Sequence, residues 1–186
     1  MLLKQLGGGF CVNKKQTLLA YNKADTLMIL NLVNNKTSNI KISNENNSEL
    51  SLDDMRWNSN QDVVWGLLQA PAMTFYNFFS YDCTTKKLEQ YDVPEFFEDD
   101  YDLNPNLGLL LYSDYSFLAN SDGDDGEDLE MSKTKTHLYI LDLSTNEKKL
   151  IKTSIEKEFN PKWITNDIIE YNSLTTNKRE RIRLVK

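Results

Sequence analysis

Cysteine is scarce in this chain, with only Cys11 and Cys83 among 186 residues. Two isolated thiols make neither a disulfide framework nor a metal cluster, and they read as small buried hydrophobes in a reducing compartment. Histidine is scarcer still. His137, the single imidazole, stands at the start of a strand after a polar loop, where an exposed or hydrogen-bonded ring is expected rather than a general base. One histidine and two distant cysteines exclude a zinc site of ordinary ligand count. No GxSxG, HExxH or phosphate-binding glycine loop occurs. The three glycines at 7 to 9 precede a strand and not a helix, so they read as a flexible joint and offer a phosphate no helix N-terminus. Long apolar runs are missing too, and none approaches the roughly eighteen residues of a membrane-spanning helix. The start, MLLKQLGGGF, lacks the apolar core and cleavage site of a signal peptide, so a cytoplasmic protein is expected.

Positive charge is in deficit as well. Twenty-one Lys and Arg against 28 Asp and Glu leave a net charge of −7. That balance disfavours nucleic acid and anionic membranes, both of which require clustered cations, and favours a basic protein partner. Forty percent apolar residues nevertheless suffice for a packed core, and a single domain over 1–186 is expected.

What the chain does have is spacing two. Apolar bursts such as TLLAY, TLMILNL, DVVWGLL, LGLLLY, HLYILDL and DIIEY alternate with turn clusters such as NNKTSN, NSNQD, NPN and STNE. Only SELSLDDM and SIEKEF allow a helical turn or two, so the fold class is all-β. One pattern recurs four times: VNKKQTLLAY from Val12, WNSNQDVVW from Trp57, LNPNLGLLLY from Leu103 and WITNDIIEY from Trp163. A second hairpin follows each of the first three copies. Each unit of about 45 residues therefore holds four strands, the size of one propeller blade. About four blades are expected, with an insertion at about 119–136 lengthening the third. The fourth copy runs one strand short, and MLLKQL could supply that strand and close the set. A β-sandwich is the alternative. Trp57 and Trp163 recur at one repeat position and read as packing, as do Trp65 and the FYNFF aromatics.

NPKWITNDIIEYNS together with HLYILDLSTNEKKLIKTS resembles the repeat of TolB-type and WD-type β-propellers. The resemblance rests on Pro161, Trp163, the pair Ile168 and Ile169, and Asp142 closing a third strand, with Asp82 and Asn31 at corresponding places. It implies a binding platform more often than an enzyme, and the fold by itself carries no activity.

Two acidic clusters stand out. The first, PEFFEDDYD, interleaves Glu95, Glu98, Asp99, Asp100 and Asp102 with Phe96, Phe97 and Tyr101, so charge sits beside rings able to anchor an interface. The second holds Asp122, Asp124, Asp125, Glu127 and Asp128, an arm suited to steering a basic partner. Calcium is an alternative for the second cluster, but the EF-type register fails: counted from Asp122, Gly126 falls fifth and Lys133 twelfth. No catalytic residue and no cofactor is expected. The expected function is binding of a basic protein, most specifically as an immunity protein that neutralises a bacterial toxin. A ligand- or calcium-binding propeller and a carboxylate-dependent hydrolase are the alternatives.

Overall fold

A computed structural model describes residues 9–23, 26–42, 51–69, 76–94, 100–114, 135–154, 159–173, 176 and 178–184. These residues form four antiparallel sheets, each built from strands consecutive in sequence. The first contains β1 (Phe10–Val12), β2 (Leu18–Lys23), β3 (Thr26–Asn31) and β4 (Lys36–Lys41). The second contains β5 (Ser51–Trp57), β6 (Val63–Gln69), β7 (Tyr76–Asp82) and β8 (Leu88–Asp92). In the third are β9 (Tyr101–Asn104), β10 (Leu109–Asp114), β11 (Thr136–Asp142) and β12 (Lys148–Ser154). The fourth has β13 (Lys162–Trp163), β14 (Ile168–Ser173) and β15 (Lys178–Arg183). All four recurrences seen in the sequence are the first turn of a sheet. The expected closing strand MLLKQL lies outside the described residues.

The chain divides into two compact units, Met1–Val93 and Pro94–Lys186. In the first unit Ala20, Leu27, Ile29, Leu52, Val64 and Phe79 form a core between the first two sheets. Hydrogen bonds reinforce this seam: Trp57 Nε1 donates to the Cys11 carbonyl at 3.0 Å, and Asn22 Nδ2 to the Leu52 carbonyl at 2.9 Å. Both thiols pack beside this core. Burial first, with the charge of Asp54 adding to it, pushes the Cys11 thiol up to about 12, and burial pushes Cys83 to about 11. Neither is a thiolate near neutral pH. In the second unit Leu111, Leu138, Ile140, Phe159, Ile169 and Tyr171 form the corresponding core.

The helical turn expected within SELSLDDM is a strand from Ser51 onward. Leu52 and Met55 are both buried although three residues apart, a spacing that imitates a helix. The cause is an irregularity in the β5–β6 ladder between Asp53 and Arg56, where Asp54 takes a φ of 44°. An irregular rung shifts the inward phase of a strand, so the spacing becomes three.

The hairpin written three times has one construction. Asn31, Asp82 and Asp142 each accept two backbone N–H groups from the residues two and three positions on, at 2.7 to 3.2 Å. Four residues after each stands a left-handed residue: Asn35 (φ 56°), Lys86 (φ 62°) and Asn146 (φ 59°). Asparagine tolerates that region better than most residues, whereas lysine gains nothing from it. Lys86→Gly is therefore expected to raise stability by about 0.5–1 kcal/mol, read as a higher urea midpoint at unchanged slope. A lower midpoint would contradict this assignment of strain.

Candidate functional site

In an antiparallel four-stranded sheet the first and third connections lie at one end, and the second lies at the other. The strands that bring the chain in and take it out also meet the second end. In the third sheet, residues 94–100 feed β9 and residues 115–135 join β10 to β11, with register pairs Tyr101↔Tyr112 and Asp114↔His137. The two acidic clusters are thus tethered to the same end of one sheet. Glu95, Phe96, Phe97, Glu98 and Asp99 lie outside the described residues, as do Asp122, Asp124, Asp125, Glu127 and Asp128.

The remaining members of the first cluster, Asp100, Tyr101 and Asp102, sit inside the fold or at its margin. Asp100 is 1% exposed. Its carboxylate accepts the Phe159 N–H at 2.9 Å, and it also accepts the Asn160 N–H and the Ser113 hydroxyl. Tyr101 is half-buried in β9. Asp102, two residues on and so on the same side of the strand, accepts the Trp163 N–H at 2.6 Å. These two carboxylates stand in for a ladder between β9 and the segment 159–163, where Pro161 has no N–H and β13 is only two residues long. They hold the fourth sheet against the third.

The base of the longer acidic segment is a second polar knot, built on Asp114, which charge counting in the sequence passed over. His137 N–H donates to Asp114 Oδ1 at 2.7 Å, and His137 Nδ1 lies 3.1 Å from Oδ2. Tyr139 follows on the same face, 5.8 Å from the imidazole ring and 5.7 Å from Tyr112, with Lys148 Nζ 4.2 Å above its ring centre. Burial first, and then the charge of Asp114, raises the Tyr139 phenol above its ordinary value of 10.0. The histidine is thus a hydrogen-bonded strand residue at the foot of the insertion. The signal available in sequence was positional: Asp114 and His137 flank the insertion. Among the described residues no group of three His, Cys, Asp or Glu side chains could hold a metal ion.

Charge along the chain is sharply segregated. Residues 95–130 hold twelve carboxylates and no Lys or Arg, whereas residues 131–186 hold twelve Lys and Arg against seven acids. Residues 1–94 balance, with nine of each sign. The whole net charge therefore comes from one stretch tethered to one end of the third sheet.

No protein-family model matches the chain, and no curated protein matches it. Solved structures do. The acylaminoacyl peptidase of Pyrococcus horikoshii is 15% identical with a TM-score of 0.51, over 86% of this chain and 26% of that one. The dihydro-heme d1 dehydrogenase NirN is 9% identical with a TM-score of 0.52, over 95% of this chain and 38% of that one. The β-propeller domain of the trilobed protease from Pyrococcus furiosus is 19% identical with a TM-score of 0.49, over 89% and 48%. The fold is that of a small β-propeller. The chain spans less than half the length of each of these proteins, and at such identities the likeness is of fold alone. Each of the four sheets is a blade, the fourth with three strands among the described residues, and Asp100 and Asp102 are inter-blade ties.

Asp100→Asn tests the tie. An amide keeps one acceptor oxygen but turns an NH₂ toward backbone donors, so at least one buried N–H is orphaned. A loss of about 1–3 kcal/mol is expected in urea unfolding. An unchanged midpoint would show that the carboxylate is dispensable.

Proposed function

We propose that the chain is a non-catalytic protein-binding module that engages a basic protein through the acidic end of its third blade. The observation that carries this reading is the run from 95 to 130, with twelve carboxylates and no compensating cation, held at both its clusters to one sheet end. Charges of one sign gathered in connections are little stabilised by the fold and repel one another, so they need a function or ample solvent. Their value lies in steering: a concentrated negative field accelerates encounter with a cationic surface. Asp100 and Asp102 are committed to the inter-blade tie. Contact through the first cluster accordingly falls to Glu95, Phe96, Phe97, Glu98 and Asp99, whose rings would supply the buried anchors that charge alone does not. Within this class the most specific reading is an immunity protein that neutralises a basic toxin. It is supported by the acidity, by the lack of recognisable catalytic motifs, and by a fold that serves as a platform.

Capture of the tagged protein from its native host, washed at low and then moderate salt, should retain a single stoichiometric basic protein. An empty column would contradict the proposal. With that partner in hand, the variant carrying Asn or Gln at Asp122, Asp124, Asp125, Glu127 and Asp128 should associate several-fold more slowly at low salt. The difference should vanish near 1 M salt, where the Debye length is about 3 Å. Equal rates at low salt would refute steering by this segment.

A further inference from the structure

The first and third connections of a blade share one end. In the first unit these are residues 13–17 and 32–35 of the first blade and 58–62 and 83–87 of the second, and every residue in them is described. Hydrogen bonds lay the four turns side by side. Leu32 N–H donates to the Thr17 carbonyl at 2.8 Å, and Cys83 N–H to the Asp62 carbonyl at 2.9 Å. Between the blades, Asn13 Nδ2 donates to Asp62 Oδ1 at 3.1 Å, and Lys15 Nζ lies 3.6 Å from Asp62 Oδ2. The turns therefore make one continuous surface.

That surface is cationic. Lys14, Lys15, Lys86 and Lys87 stand in the turns and Lys36 opens β4, against Asp62 and, at the end of β7, Asp82. All five lysines are exposed. Lys15 is partnered by Asp62, and Lys87 by Glu89 at 2.6 Å. Lys86 acts on Asp82, whose carboxylate already accepts the Thr84 and Thr85 N–H groups. Among the described residues Lys14 and Lys36 have no ion pair. The surface also carries an aliphatic tip: Leu32 is 41% exposed and Val33 77%, side by side on the β3–β4 hairpin. Their backbone donors are satisfied, Leu32 N–H by Thr17 and Val33 N–H by Asn31 Oδ1 at 2.9 Å. Burying this tip removes apolar area from water without orphaning either N–H. The corresponding turns of the second unit, 105–108, 143–147 and 164–167, hold Glu147 and Asp167 and no lysine. Lys148, which opens β12, lies over the Tyr139 ring.

The four turns contain neither an arginine nor an aromatic ring. Protein interfaces favour Arg, Tyr and Trp and are depleted in Lys, and single-stranded nucleic acid needs rings on which to stack. An anionic bilayer needs neither, because lysines meet its headgroup charge and an aliphatic tip enters its acyl boundary.

We propose that the turn end of the first unit is a reversible docking surface for an anionic lipid bilayer. Leu32 and Val33 enter the headgroup boundary, and the five lysines lie against the charged headgroups. The net charge of the whole chain argues against such a surface. Screening, however, confines each charge to about 8 Å at physiological salt, so the local excess of lysine decides. The surface shares no residue with the acidic end of the third blade, so its test is independent of the proposed function.

The test is co-sedimentation of the full chain with phosphatidylcholine vesicles, with and without roughly a third of phosphatidylglycerol, at physiological salt. The anionic vesicles should bind the chain, and the neutral ones should bind it at least tenfold more weakly. K14Q/K36Q/K86Q should weaken binding at least tenfold, on a scale of roughly fivefold per lysine. L32S/V33S should weaken it several-fold, and circular dichroism should show both variants folded. With V33W, brominated lipid should quench emission that it leaves unchanged in the parent. Four results would overturn the proposal: no binding to anionic vesicles, equal binding to neutral ones, undiminished binding by either folded variant, or no added quenching with V33W. Self-association in place of vesicle binding, abolished by K14Q/K36Q/K86Q, would also overturn it, because the occupant would then be a second copy of this chain.

Discussion

The fold depends on side-chain oxygens that accept backbone N–H groups where the chain turns. A chain with seven glycines cannot make most of its turns by conformational freedom alone, and among the described residues only Gly108 is a glycine with positive φ. Asparagine and aspartate do the work. Asn13 accepts the N–H groups of Thr17 and Leu18, Asn58 those of Asn60 and Gln61, and Asn104 that of Asn106. All three are buried. Each opens the first turn of a blade, and Asn31, Asp82 and Asp142 open the hairpins that follow. An unpaired buried N–H costs about as much as a lost hydrogen bond, so these acceptors decide where each strand ends. The same side chains join neighbouring blades: Asn13 Nδ2 donates to Asp62 Oδ1 at 3.1 Å, and Asn104 Nδ2 to Asn166 Oδ1 at 3.3 Å. Asp100 and Asp102 extend the principle from turns to the seam between the third and fourth blades.

Much of this was legible because it is local. Strand alternation, turn composition and a repeat of about 45 residues are properties of short windows, and all four first turns fell where the repeated pattern put them. The equivalence of Asn31, Asp82 and Asp142 was visible from the residues that precede them. Two features were not legible, for different reasons. The irregular rung beside Asp54 shifts the inward phase of β5, so Leu52 and Met55 imitate a helical spacing. Asp100 looks identical to Asp99 in a charge count. What distinguishes it is a contact 59 residues away, with the N–H of Phe159, which no local pattern encodes.

That distinction shapes the functional reading. Several acids in the strands of this propeller, among them Asp82, Asp102, Asp114, Asp142 and Glu170, are aimed at backbone donors or at arginines. The acids at 95–99 and 122–128, eight of the twelve carboxylates between 95 and 130, lie outside the described residues. A propeller suits this division of labour, because its strands tolerate little change while its connections vary freely at the ends of the blades. The β10–β11 ladder runs from Leu109↔Asp142 to Asp114↔His137, and Asp114, His137 and Tyr139 form a knot at the base of the longer connection.

The most direct measurement is therefore made on a chain in which residues 115–134 are replaced by Asn-Gly, leaving a short hairpin between Asp114 and His137. A thermal midpoint within a few degrees of the parent is expected, together with a several-fold or greater loss of capture of the proposed basic partner. A collapsed midpoint would mean that the insertion holds the blade together. Undiminished capture by the folded variant would contradict the account directly, because the acidic segment would then have no part in recognition.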